Sequence, residues 1–188
     1  MAIASMQSSE NNLSSYDPVT IVFHWLTAVL VVLLFGSAWI WNNTPRDWHW
    51  HQPLEAGHVS FGILFAAVLI GRVAWRWLGG RRLAVAAKGR AGWASRAVHL
   101  ALYLLLALQA VLGFGLRWLQ GEAFSFFGLF SIPDPLTPDR ALAQSFEGLH
   151  NYVGWAIVIV AGGHAVAALI HHYGARDGVL RRMIPGRV

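Results

Sequence analysis

The sequence predicts an all-α integral membrane protein, a bundle of four spanning helices with both termini in the cytoplasm. Three observations carry this. Of 188 residues, 56% are hydrophobic and only 12% charged, with a mean hydropathy of +0.48, whereas soluble domains carry about 25% charged residues. Four separate segments are apolar over the roughly 20 residues that a helix needs to cross about 30 Å of hydrocarbon. The basic residues gather on one side of those segments. This composition excludes a disordered chain, a nucleic-acid-binding arm and an ordinary cytosolic enzyme. The net charge of +5 and pI of about 10.4 follow from topology, and no nucleic-acid partner is expected. Ten Trp and ten Phe suit a protein whose rings settle at the two lipid interfaces.

The first span runs from about Val19 to Trp41 without a charge, and the second from about Ala56 to Trp77, with Arg72 and Arg76 near its end. The third covers about Ala97 to Leu116 and the fourth about Gly148 to His172. No water reaches backbone groups inside a bilayer, so each segment must be helical. The first is not the pattern of a cleaved signal peptide: Met1–Thr20 holds Glu10 and Asp17 but no Lys or Arg, and the apolar run is too long. The chain divides into an N-terminal segment (1–18), a four-helix domain (19–172) and a basic tail (173–188), with no repeat and no separate soluble domain.

Orientation follows from the basic residues. Arg72, Arg76, Arg81, Arg82, Lys88, Arg90 and Arg96 flank the connection between spans two and three, and Arg176, Arg181, Arg182 and Arg187 lie in the tail. Only Arg46, Arg117 and Arg140 fall on the other side. The excess marks the cytoplasmic face and places both termini there. Six acidic residues (Asp47, Glu55, Glu122, Asp134, Asp139 and Glu147) fall on the outer side. Ala123–Ile132 is apolar but too short to span, and Pro133, Pro135 and Pro138 follow it; it is expected to cap the outer helix ends at the interface.

The chain has no Cys, and its three Met (Met1, Met6 and Met183) lie near the chain ends. Disulfides, thiolate metal sites and covalently attached haem are therefore excluded, as is a buried Met ligand. Nine His remain. His49 and His51 belong to the first outer loop as solvated residues. Four others, His24, His58, His150 and His164, lie inside the spans, where an ionisable group is costly and usually functional.

His150 and His164 are 14 residues apart on the last span. That spacing leaves them about 40° apart around the helix and about 21 Å apart along it, on nearly one face. His58 enters the second span at nearly the depth of His150, and His24 enters the first towards the depth of His164. The result is two facing imidazole pairs at two levels. Bis-His ligation of haem b needs such pairs in an apolar bundle. Zinc wants further ligands at each level, and proton relays add carboxylates inside the spans, which are missing here.

Gly62 and Gly154 each follow a candidate ligand by four residues. They either admit a flat macrocycle or serve as helix-packing contacts. His99, at the opening of the third span, has three readings: an interfacial His, a partner of a haem propionate, or a third-helix ligand. His171 and His172 either snorkel to the inner interface or line a quinone or proton-access site. Arg72, Arg76 and Arg96 either pair with propionates or only mark topology.

Tyr16-Asp17-Pro18 leading to His24-Trp25, then Gly57-His58-Val59-Ser60-Phe61-Gly62, resemble the first two helices of bacterial cytochrome b561. Leu149-His150-Asn151 through Gly163-His164-Ala165, then His171-His172-Tyr173 and Leu180-Arg181-Arg182-Met183-Ile184-Pro185, resemble that family's last helix and tail. The resemblance covers about residues 16 to 185. It implies a four-helix inner-membrane bundle with two b haems, the inner on His24 and His164 and the outer on His58 and His150. It also implies electron exchange between a donor and the quinone pool, with ubiquinone as electron partner; the sequence does not place the quinone site, and His172 with its neighbours is one candidate. Some relatives of this kind oxidise superoxide. Others resemble the cytochrome b subunits of nickel hydrogenases and formate dehydrogenases, so the alternative is a haem-bearing anchor subunit of a larger complex, inactive alone. The long 42–55 segment, rich in Trp and His, is the surface a redox partner protein would use.

Overall fold

The computed structural model describes residues 15–81, 83, 89–176 and 178–184. Met1, Met6, Glu10, Arg82, Lys88, Pro185 and Arg187 lie outside the described residues, as does the side chain of Arg90.

Four long helices form in chain order: α1 (Pro18–Asn42), α2 (His51–Leu78), α3 (Gly89–Gln120) and α4 (Arg140–Ile170). All four are long and apolar enough to cross a membrane. They outrun the apolar segments that predict them. Hydrocarbon thickness limits the span, while the helix continues until a cap or a turn residue stops it. His51, expected in a loop, is accordingly the first residue of α2, and His99 lies ten residues inside α3 rather than at its start.

The caps are legible in the residues. Asp17 accepts from Thr20 N at 2.9 Å and Thr20 Oγ1 at 2.7 Å, with Pro18 opening α1 where no backbone N–H is needed. The same carboxylate accepts from Trp75 Nε1 at 2.9 Å and Arg81 N at 3.0 Å, tying the start of α1 to the end of α2. Asp139 caps α4 by accepting from Ala141 N and Leu142 N, both at 3.0 Å. Its own N–H donates to Leu119 O at the end of α3. Beyond Ile170 the helix widens into a π-helical turn, His171–Ala175, which Arg176 ends in the left-handed region at φ 51°. A 3-10 turn, Leu180–Met183, follows, and Trp25 Nε1 donates to Met183 O at 2.6 Å.

Between α3 and α4 lies a two-stranded antiparallel hairpin, β1 (Phe124–Phe126) and β2 (Phe130–Ile132). Its turn places Phe127 (φ 48°) and Gly128 (φ 72°) both in the left-handed region, as a tight turn matching strand twist requires. The hairpin packs on α2. Ser60 Oγ accepts from Phe127 N at 3.0 Å and lies 3.2 Å from Ser125 O. The expected cap is therefore a pinned strand pair.

All four helices contribute to one small core of Leu30, Phe65, Val68, Leu69, Leu106 and Ile157. α1 packs along α2 and α3 along α4, with sparser contact between the two helical hairpins. Phe35 and Trp155 meet edge to face across them at 4.9 Å. Large apolar side chains cover the outside, among them Val32 at 71% and Ile159 at 70% exposure. Such a surface is stable only against lipid.

Candidate functional site

The four intramembrane His meet in the two predicted pairs. His24 of α1 and His164 of α4 have ring centres 6.4 Å apart, with planes at 70°. His58 of α2 and His150 of α4 have ring centres 6.3 Å apart, with planes at 72°. The last helix thus supplies one member of each pair, as the spacing on one face requires. All four rings are half-buried.

These distances have a chemical meaning. An imidazole nitrogen lies about 1.1 Å from its ring centre and about 2.0–2.1 Å from a first-row metal it ligates, so two imidazoles on opposite sides of one ion have centres about 6.3 Å apart. Both pairs fit. His99 and His164, at 5.2 Å, are too close for that arrangement, so His99 is a neighbour of the inner pair. Among the described residues, no group of three His, Asp or Glu side chains could share one metal ion. A protein-only tetrahedral site lacks its ligands, and a planar macrocycle that fills the other coordination positions suits two imidazoles.

The surroundings fit a bound plane as well. A Cβ on Gly62 would meet nothing within 4 Å, so tight helix packing is not the reason for that glycine. At Gly154 it would only touch Gln109 Nε2 at 3.4 Å. Gly113 is different: a Cβ there would lie 3.1 Å from His150 Cε1. Its absence is the recess into which the His150 ring turns. His150 Nδ1 and Gln109 Oε1 are buried without a fully formed hydrogen bond, and the Gln109 backbone faces the His150 ring.

The His58 ring is held from behind. His58 Nδ1 lies 3.0 Å from Leu34 O and 3.2 Å from Ser37 Oγ, and Ser37 Oγ itself donates to Leu34 O at 3.0 Å. Since a carbonyl only accepts, Nδ1 carries the proton and Nε2 keeps its lone pair for a metal. At His24, Arg72 Nη2 lies 3.4 Å from Nδ1.

Other residues singled out in the sequence sit elsewhere. His49 is exposed between Trp48 and Trp50. His172, with Tyr173, Arg176, Gly178 and Arg181, lines a cavity of about 200 Å³ at the end of α4. Arg96 lies over the Trp93 ring at 5.9 Å. Arg117 is held at 3.0 Å by both Glu55 and Glu122.

A four-helix membrane bundle with facing imidazoles and no thiolate is the build of a b-type membrane cytochrome. The family described as prokaryotic cytochrome b561 matches residues 15–186. The chain is 33% identical over 181 residues to cytochrome b561 homolog 2 of Escherichia coli (strain K12), covering 94% of this chain and 95% of that one. It is 28% identical to the probable superoxide oxidase CybB of Yersinia pestis, over 90% of this chain and 96% of that one. Cytochrome b561 homolog 1 of Escherichia coli (strain K12) is 24% identical over 93% and 99%. The chain belongs to the prokaryotic cytochrome b561 family, and it is a bacterial multi-pass membrane haem protein.

Proposed function

We propose that the protein is a two-haem electron carrier of the bacterial inner membrane, working between a donor on the outer side and ubiquinone. In this reading His58 and His150 hold the outer haem and His24 and His164 the inner one, with both termini cytoplasmic. The observation that carries it is the common 6.3–6.4 Å separation of two imidazole pairs on two levels of one bundle. The basic residues around the ends of α2 and α4 support the orientation.

Bound haem supplies one-electron chemistry at its iron. The chain's part is to place and insulate that chemistry. The Leu34 carbonyl fixes the tautomer and the orientation of His58. Gly113 gives His150 the room to face it. The apolar core between the levels, with Leu106 and Ile157 among its members, excludes water from the interior. On the inner side the cavity at His172 lies eight residues, or about 12 Å, beyond His164 along the helix. Its imidazole, phenol and guanidinium groups suit the carbonyl oxygens of a quinone headgroup, and His172 is the residue assigned to that contact.

For the outer donor, two classes compete. A relative carries the name probable superoxide oxidase, but Arg117, one of three basic residues expected on that side, is neutralised by two carboxylates. That weakens an electrostatic funnel for a small anion. Exposed Trp50, at 54%, beside exposed His49 instead favours a protein donor docking on the 42–55 segment, as an anchor subunit of a larger complex would require.

The deciding experiment is a dithionite-reduced minus oxidised spectrum with haem counted per polypeptide, followed by addition of a quinol. Two haems, both reduced by quinol, are expected. One haem or none would overturn the reading.

A further inference from the structure

One ring of each imidazole pair has a neighbour at Nδ1, and the two neighbours differ in kind. At His58 the neighbour is an acceptor, the Leu34 carbonyl at 3.0 Å. Donating to it pushes electron density into the ring and makes it a stronger ligand, which favours the more positive, oxidised metal. At His24 the neighbour is a cation, Arg72, at 3.4 Å. Tyr103 holds that cation in place: Arg72 Nε donates to the phenol oxygen at 3.2 Å, and the guanidinium carbon lies 5.2 Å over the ring. No carboxylate pairs with Arg72 among the described residues. Its charge bears on His24, His99 and His164 together. The cation expected at the outer end, Arg117, is occupied by Glu55 and Glu122.

A fixed positive charge in a medium of low dielectric favours whichever redox state carries less positive charge. We propose that Arg72 makes the two levels unequal, so that an electron is held more tightly at His24–His164 than at His58–His150. This rests on the two-haem reading. Arg72 acts here as a positioning residue through its charge: a guanidinium only donates, so its approach to His24 Nδ1 gives way when that ring carries its proton there and offers Nε2 to a metal. A carboxylate of the cofactor that paired with Arg72 would leave the sign of its removal unchanged, because the anion would then stand uncompensated.

The test is potentiometric titration of the purified holoprotein, followed optically, with haem counted per chain. His150→Ala and His164→Ala each leave one level to be read alone. The haem left in His150→Ala is expected at the higher potential. Arg72→Gln should lower that inner potential alone, by at least about tenfold in the one-electron equilibrium, or about 59 mV. Arg72→Lys keeps the charge and should retain more than half of the difference. A lower potential in His150→Ala than in His164→Ala overturns the proposal, and so does an unmoved inner potential in Arg72→Gln with its haem retained. If Arg72→Gln loses that haem, the two single-level proteins still decide. A wild-type chain with fewer than two haems is recognised by the count and defeats the two-haem reading itself, taking this proposal with it.

Discussion

Gly113 and His150 pack with little room to spare: a Cβ on the first would lie 3.1 Å from Cε1 of the second, so the ring would have to give by a few tenths of an ångström. In an isolated helix, Gly→Ala is stabilising by about 1 kcal/mol. Here Gly113→Ala should act the other way, since overpacking a fitted site costs about 1–3 kcal/mol. The expected result is loss of haem from the His58–His150 level with the His24–His164 level intact. A spectrum and haem count equal to wild type would remove Gly113 from the site.

A substitution at His172 tests the proposed quinone contact apart from haem binding. His172→Ala should leave the reduced-minus-oxidised spectrum unchanged and slow reduction by quinol about tenfold, the size of one lost hydrogen bond to a partly buried ligand. Stopped-flow reduction at several quinol concentrations measures it. An unchanged rate would move the quinone contact elsewhere.

Asp17 gives a pH dependence. Burial pushes its carboxyl up, but hydrogen bonds from the Thr20 hydroxyl, the Thr20 and Arg81 backbones and the Trp75 indole together hold it at about 2, below its ordinary 3.8. A carboxyl lowered on folding stabilises the protein above its ordinary value, and that stabilisation fades as pH falls from about 4 through about 2. Asp17→Ala should cost about 1 kcal/mol for the lost helix cap and flatten that acid limb. Asp17→Asn should keep most of the cap and still flatten it. Thermal unfolding in detergent between pH 2 and 6 reads both effects.

Ser60 should anchor the strand pair. Ser60→Ala removes the acceptor for Phe127 N and costs about 1 kcal/mol, so amides of residues 124–132 should exchange faster while haem content stays unchanged. Equal exchange would mean that aromatic packing, such as Phe61 on Phe127 at 5.3 Å, holds the hairpin alone.

The parts legible in the sequence were those set by one helix at a time. Apolar length declared the four spans, and the 14-residue spacing put His150 and His164 on one face, as described above. What escaped was set by registration between helices. Arg72 beside His24, and Gly113 beneath His150, depend on how α2 meets α1 and how α3 meets α4, which no single segment encodes. His99 was misplaced because the apolar run begins at about Ala97, while the helix begins at Gly89; Trp93 and Arg96 on that extra stretch were the available signal. The hairpin was missed as strands because Phe-Gly is a weaker turn signal than Asn-Gly.

The division of the bundle into α1–α2 and α3–α4 has an outcome for biogenesis. His24 and His58 belong to one half, His150 and His164 to the other, so each imidazole pair straddles the seam. In the two-haem reading, porphyrin held by both members of a pair would rivet the halves, and maturation would become a single event with cofactor delivery. Cells starved of iron would then leave unriveted chains to membrane quality control rather than a reserve of silent apoprotein.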